Sequence, residues 1–167
     1  MGTFTGSIIT PQYFEVTPLP EFMAEMTLFE KILAGDVPAN FVAKGENWGA
    51  FLDVFPRREG HTLVVPKSPV QYVNQLPSSE LLDLMKGLQE TQSILSKYFN
   101  TTDFTILVHD GPLAGQEIPH LHIHVIPRTK LDGGKSLPSL FPNTIIPETP
   151  NFIELSDLCK KIKEAIQ

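Results

Sequence analysis

Three of the chain's five histidines stand at alternate positions in the apolar run Pro119-His120-Leu121-His122-Ile123-His124-Val125-Ile126-Pro127. In a strand, side chains alternate between two faces, so the three imidazoles emerge together while Leu121, Ile123 and Val125 point the other way. A neutral imidazole offers two chemistries. It is the commonest metal ligand, and two strand histidines with a third ligand can hold zinc with one position open. It is also a nucleophile toward phosphorus, and with an unperturbed pKa of about 6.5 a large share of such rings is neutral at pH 7. A third reading makes them structural histidines, against which the regular spacing counts.

The loop Gly111-Pro112-Leu113-Ala114-Gly115-Gln116 precedes this run. Its small residues let backbone amides approach an anion closely, as phosphate-cradling nests do, and the Gln116 amide can donate to a bridging or leaving oxygen. Nearby carboxylates are limited to Asp110 and Glu117, and no cysteine is close. Together, loop and histidines point to phosphate.

Those groups need a frame. A chain of 167 residues, 41% hydrophobic, fits one domain. Its net charge of -6 offers no general attraction to phosphate backbones, so no nucleic-acid partner is expected. The lone Cys159 leaves no internal disulfide or paired-thiolate metal site, and a cytoplasmic setting fits. No apolar run approaches the roughly 20 residues that span a bilayer, and no signal segment opens the chain, so no membrane partner is expected.

The pattern divides into an arm over 1–25, a domain over 26–130, and a Pro-rich tail over 131–167 whose closing helix is expected to pack on the domain. Leu28, Phe29, Ile32 and Leu33 recur at helical spacing before a capping Gly35. Strands are expected at 41–44, 48–55, 61–66, 104–109 and 120–126. A long helix follows Pro77, with Ser78 as N-cap and Gly87 as a mild weak point. Phe152, Leu155, Leu158, Ile162 and Ile166 mark the last helix. The fold class is α+β: an antiparallel sheet of about five strands with the histidine strand central, one long and one short helix, and a C-terminal helix.

The segments FEKILAGDVPA, AFLDVFPRREGHTLVVPKSP and HDGPLAGQEIPHLHIHVIPR resemble the histidine triad (HIT) superfamily, whose signature is His-x-His-x-His followed by apolar positions. The first segment is similar to the nucleoside phosphoramidase and bacterial branch, and DGPLAGQ to the fragile histidine triad dinucleoside polyphosphate hydrolases. The resemblance implies hydrolysis or transfer at the α-phosphate of a nucleoside 5′-phosphoryl compound through a nucleotidyl-histidine. A nucleotide-binding regulator with little turnover is the rival reading.

By that resemblance His122 is the nucleophile, His124 contacts the phosphate oxygens, His120 supports the nucleophile's ring, and Gln116 binds near the scissile bridge. His61 matches a second-shell histidine, with a plain hydrogen-bonded residue at a strand start as the alternative. Asp53 takes the ribose hydroxyls. Phe29, Ile32, Val37 and Val54 match the slot for the base, although Ile32 reads first as core. Gly115, His109 and Glu117 fall around the phosphates. His109 stands where relatives usually have Asn or Gln, and Glu117 is expected to turn only its backbone amide inward. Purine nucleotides and a homodimer with a continuous sheet are implied. No cofactor is required, although Mg²⁺ can accompany a polyphosphate. Bacterial relatives often carry Cys-x-x-Cys at the positions of Thr27 and Glu30, so a structural zinc is not expected.

Overall fold

The computed structural model describes residues 25–134 and 149–164. The expected arm, apart from Glu25, the prolines between 135 and 148, and Ile166 lie outside the described residues. Residues up to Thr129 form one unit and 130–167 another. In the second unit, helix Phe152–Glu164 (α3) forms where the apolar spacing predicts it, with none of its residues buried.

The first unit runs in the order α1 (Leu28–Ala34), β1 (Phe41–Lys44), β2 (Trp48–Leu52), β3 (Thr62–Pro66), α2 (Ser78–Phe99), β4 (Phe104–Leu107) and β5 (Ile123–Pro127). The five strands form one antiparallel sheet in the order β1-β2-β3-β5-β4. The centre therefore belongs to β3, and the histidine strand lies one place in from the β4 edge, which corrects the expectation of a central triad strand.

Alternation along the strands sorts the core into two layers. On one face Trp48, Ala50, Val64, Leu121, Ile123 and Val125 pack with Leu84, Leu88 and Leu95 of α2. On the other, Phe51, Leu63 and Val65 pack with Phe29 and Ile32 of α1. Short α1 is held at both ends. Thr27 and Glu30 make a reciprocal capping box, and Gly35 closes the helix at φ 93°.

Several boundaries differ from the pattern for local reasons. The histidine strand begins at Ile123, because the Leu121 N–H donates to Val70 O at 2.7 Å and the His120 N–H to Ile118 O, outside the sheet ladder. β2 ends at Leu52, after which Asp53 Oδ1 accepts from the Phe55 N–H and bends the chain away. Pro77 rather than Ser78 occupies the cap position of α2. Its carbonyl accepts the first helical bond from Leu81, and no side chain caps the end.

Gly87 is no weak point. A Cβ there would stand 2.4 Å from Trp48 Cδ2, so the missing side chain is what lets the indole lie against α2. Gly87→Ala should destabilise the fold by about 1–3 kcal/mol through overpacking, despite the roughly 1 kcal/mol that alanine gains in helix propensity. Denaturant unfolding reads the sign, and a stabilised variant would refute the contact.

Candidate active site

A cavity of about 290 Å³ opens on the α1 face of the sheet. Phe29 and Ile32 of α1, Phe51 of β2 and Leu63 of β3 form its apolar part, while His122, His124, His61, His109 and Asp53 supply polar groups. Sheet register explains the position of His124: it pairs with Leu63 on β3 and Leu107 on β4, and both neighbours line the same cavity.

Hydrogen bonds assign a proton to each ring of the triad. A backbone carbonyl can only accept, so a ring nitrogen bonded to one must carry hydrogen. His122 Nδ1–H donates to His120 O at 2.7 Å, which leaves the lone pair of the neutral ring on Nε2. His120 Nε2–H donates to Pro66 O at 2.9 Å, and its Nδ1 accepts from the Thr27 hydroxyl at 2.7 Å. The same hydroxyl accepts from the Glu30 N–H, so the cap of α1 also holds the first histidine of the triad. The Phe29 ring lies edge-on to both His120 and His122.

A second chain of bonds orients His124. The Arg57 N–H donates to His61 Nδ1 at 3.2 Å, which is therefore unprotonated in the neutral ring. His61 Nε2–H then donates to His124 Nδ1 at 2.9 Å, and the proton of His124 sits on Nε2. That Nε2 is buried without a protein partner. An orphaned buried donor is costly unless a ligand completes it, and a phosphoryl oxygen is such an acceptor.

Burial disfavours the charged imidazolium and lowers the pKa of all four rings in this network. For His124, burial and then His122, His61 and His109 push it down to about 3. For His122 burial dominates and His109 adds to it, opposed by the His120 carbonyl, Asp53 and Glu117. For His61 burial outweighs the Asp53 carboxylate, whose Oδ2 lies 3.4 Å from Nδ1. A neutral His122 keeps its nucleophilic lone pair at pH 7.

The triad does not converge as a set of metal ligands, since His120 uses both ring nitrogens and His122 one within the protein. Asp53, His61 and His124 bring possible ligand atoms within 4.8 Å of one another. Both His61 nitrogens and His124 Nδ1 are already engaged in hydrogen bonds, so this donor set is not free for an ion. Thr27 and Glu30 likewise spend their side chains on each other and on His120.

Among the residues singled out from the sequence, Asp53, Val54, Phe29, Ile32, His109, Gly115, Glu117, His61, His122 and His124 all line the cavity. His120 stands behind it, fully buried. Gln116 does not line it: its amide donates one hydrogen to Gln71 O, and its Oε1 accepts from Gln71 Nε2. Val37 packs against the Phe29–Phe51 cluster instead of the cavity. Glu117 lies exposed at the cavity wall, and its carboxylate raises the pKa of His122 against the effect of burial. The sequence reading missed Thr27 as a partner of His120, and Arg57, the cavity's cation among the described residues.

Comparison with known proteins agrees with this architecture. The HIT domain model matches residues 34–131, more than half of the chain, and the protein belongs to the HIT family. An uncharacterised HIT-like protein of Methanocaldococcus jannaschii is 42% identical over 65% of this chain and 83% of its own length. The asymmetrical bis(5'-nucleosyl)-tetraphosphatase of Schizosaccharomyces pombe is 40% identical over 50% of this chain, which spans only 46% of that relative. A solved HIT family structure from Bacillus subtilis superposes with a TM-score of 0.70 at 26% identity, covering 84% of this chain and 96% of that one.

Because unfolded histidines protonate near pH 6.5 and the buried rings do not, the unfolded chain binds more protons as pH falls, and stability drops. For His124 this loss runs from about pH 6.5 down to about 3, with a slope of up to about 1.4 kcal/mol per pH unit from that one group. Denaturant unfolding between about pH 7.5 and 4.5 should show a shallower decline for His124→Asn; equal slopes would refute a neutral buried His124.

Proposed function

We propose that this chain is a nucleotide hydrolase or nucleotidyl transferase acting at the α-phosphate of nucleoside 5′-phosphoryl compounds, with dinucleoside polyphosphates or nucleoside phosphoramidates as substrates. The observation that carries the reading is the His122 tautomer: Nδ1–H is held by the His120 carbonyl, so the neutral ring presents the lone pair of Nε2 from the wall of the cavity.

His122 Nε2 attacks the α-phosphorus, a P–N bond forms, and the bond to the leaving group breaks with its electron pair. The unpartnered Nε2–H of His124 donates to a phosphoryl oxygen as charge builds there. Water then cleaves the nucleotidyl-His122 bond and releases the nucleoside monophosphate. Asp53 at the rim accepts from ribose hydroxyls, and Phe29, Ile32 and Phe51 enclose a purine base. The tetraphosphatase relative supports the substrate class by its name.

The nucleophile needs no metal in this reading; Mg²⁺ accompanies the charge of a polyphosphate, and the Thr27–Glu30 cap is assigned no zinc. No helix among the described residues is long and apolar enough to cross a membrane, in keeping with a cytoplasmic enzyme. The homodimer that the resemblance implies has an open edge at β4, which pairs only with β5 among the described residues. Sedimentation should give twice the 18.6 kDa chain mass, and a monomer would remove the dimer alone.

His122→Ala should lower turnover of diadenosine tetraphosphate and of an adenosine phosphoramidate by on the order of 10³-fold or more while nucleotide binding survives. Retained turnover would sink the covalent reading. Tight nucleotide binding with negligible turnover by the unaltered protein would favour the regulator.

A further inference from the structure

His109 is the one histidine with no part in the chemistry above. It follows β4, and its Nδ1–H donates to the carbonyl of Ala114 in the loop before the triad. The neutral ring therefore carries its lone pair on Nε2. Its seat is built by Gly115, at φ +94°: a Cβ there would press on the ring, 3.2 Å from Nδ1. The ring stands edge-on to His124 with centroids 5.3 Å apart, and it lines the same cavity as His122.

Counting ring nitrogens isolates this atom. His120 and His61 have both nitrogens engaged. His124 accepts on Nδ1 and carries a proton on Nε2, and His122 donates from Nδ1. Once His122 Nε2 is bonded to phosphorus, the only imidazole lone pair not already accepting a hydrogen bond among the described residues is that of His109 Nε2. The titratable groups around it are the neutral His122 and His124 on the triad segment, and the charged ones are Asp53, Arg57 and Glu117 on the cavity wall. Of the two carboxylates, Asp53 faces His61 and takes the ribose hydroxyls in the reading above, and Glu117 is exposed to solvent.

We propose that His109 Nε2 is the general base for the water that hydrolyses the nucleotidyl-His122 intermediate. The water oxygen bonds to the α-phosphorus, the P–N bond breaks, and its electron pair returns to His122 Nε2. The water proton passes to His109 Nε2 and then to solvent. This rests on the covalent reading above. The ring type matters here, since an amide at this place could bind a phosphate but could not take a proton.

The experiment is rapid-quench turnover of diadenosine tetraphosphate by His109→Gln, with leaving ATP followed separately from AMP. Expected is a stoichiometric ATP burst at close to the unaltered rate, then AMP release slowed about 10²-fold or more. The AMP adduct should appear on the intact chain after an alkaline quench, and added imidazole should speed AMP release from His109→Ala. The assignment is overturned if burst and AMP release slow by the same factor, if AMP release is unchanged, or if imidazole has no effect. If His122→Ala keeps its burst, the covalent reading falls instead, which separates the two failures.

Discussion

The hydrogen bond from His122 Nδ1–H to the His120 carbonyl governs the chemistry of this molecule. It spans two residues, so the strand-like geometry of the triad segment provides it, yet it holds only while His120 itself cannot turn. That immobility comes from two distant anchors, the Thr27 hydroxyl at the head of α1 and the Pro66 carbonyl at the end of β3. One local bond thus depends on a helix cap and a strand end, and through it the lone pair of the nucleophile is assigned to Nε2.

The same packing that anchors the rings sets their protonation. Leu121, Ile123 and Val125 are drawn under α2, which fixes the opposite face of the segment against Phe29 and the cavity. Removing four imidazoles from water costs more for the charged form than for the neutral one, so burial pushes each pKa down even where a carboxylate opposes it. Close spacing strengthens this, since His122 and His124 stand 4.8 Å apart between ring centroids and each disfavours a charge on the other. The site is built to keep its histidines neutral, with hydrogen bonds donated along a fixed chain from Arg57 through His61 to His124.

Much of this frame could be read in residue order. The helical spacing of Leu28 to Leu33 with Gly35 behind it, and the alternation in the triad, each reflect a period that local backbone geometry imposes. What residue order did not show shares a cause. Gln116 follows the phosphate loop in sequence, and its side chain is steadied by Gln71, 45 residues earlier, which no local pattern announces. Gly87 was read as a flaw because helix propensity is local, whereas the indole it accommodates comes from β2. Val37 has the right polarity for a base slot and is partly buried against the Phe29–Phe51 cluster behind the cavity lining.

The sequence by itself determined which chemistry is available: three imidazoles on one face, a small-residue loop before them, and an apolar backing for the strand. Covalent connectivity and the two-residue period of extended chain settle such facts, and both are properties of neighbours. Only the tertiary structure decided which nitrogen of each ring carries the proton, because that depends on partners such as Thr27, 93 residues from His120, and His61, 63 residues from His124. A lone pair is directed by the group that occupies the other nitrogen, and folding alone brings that group into place.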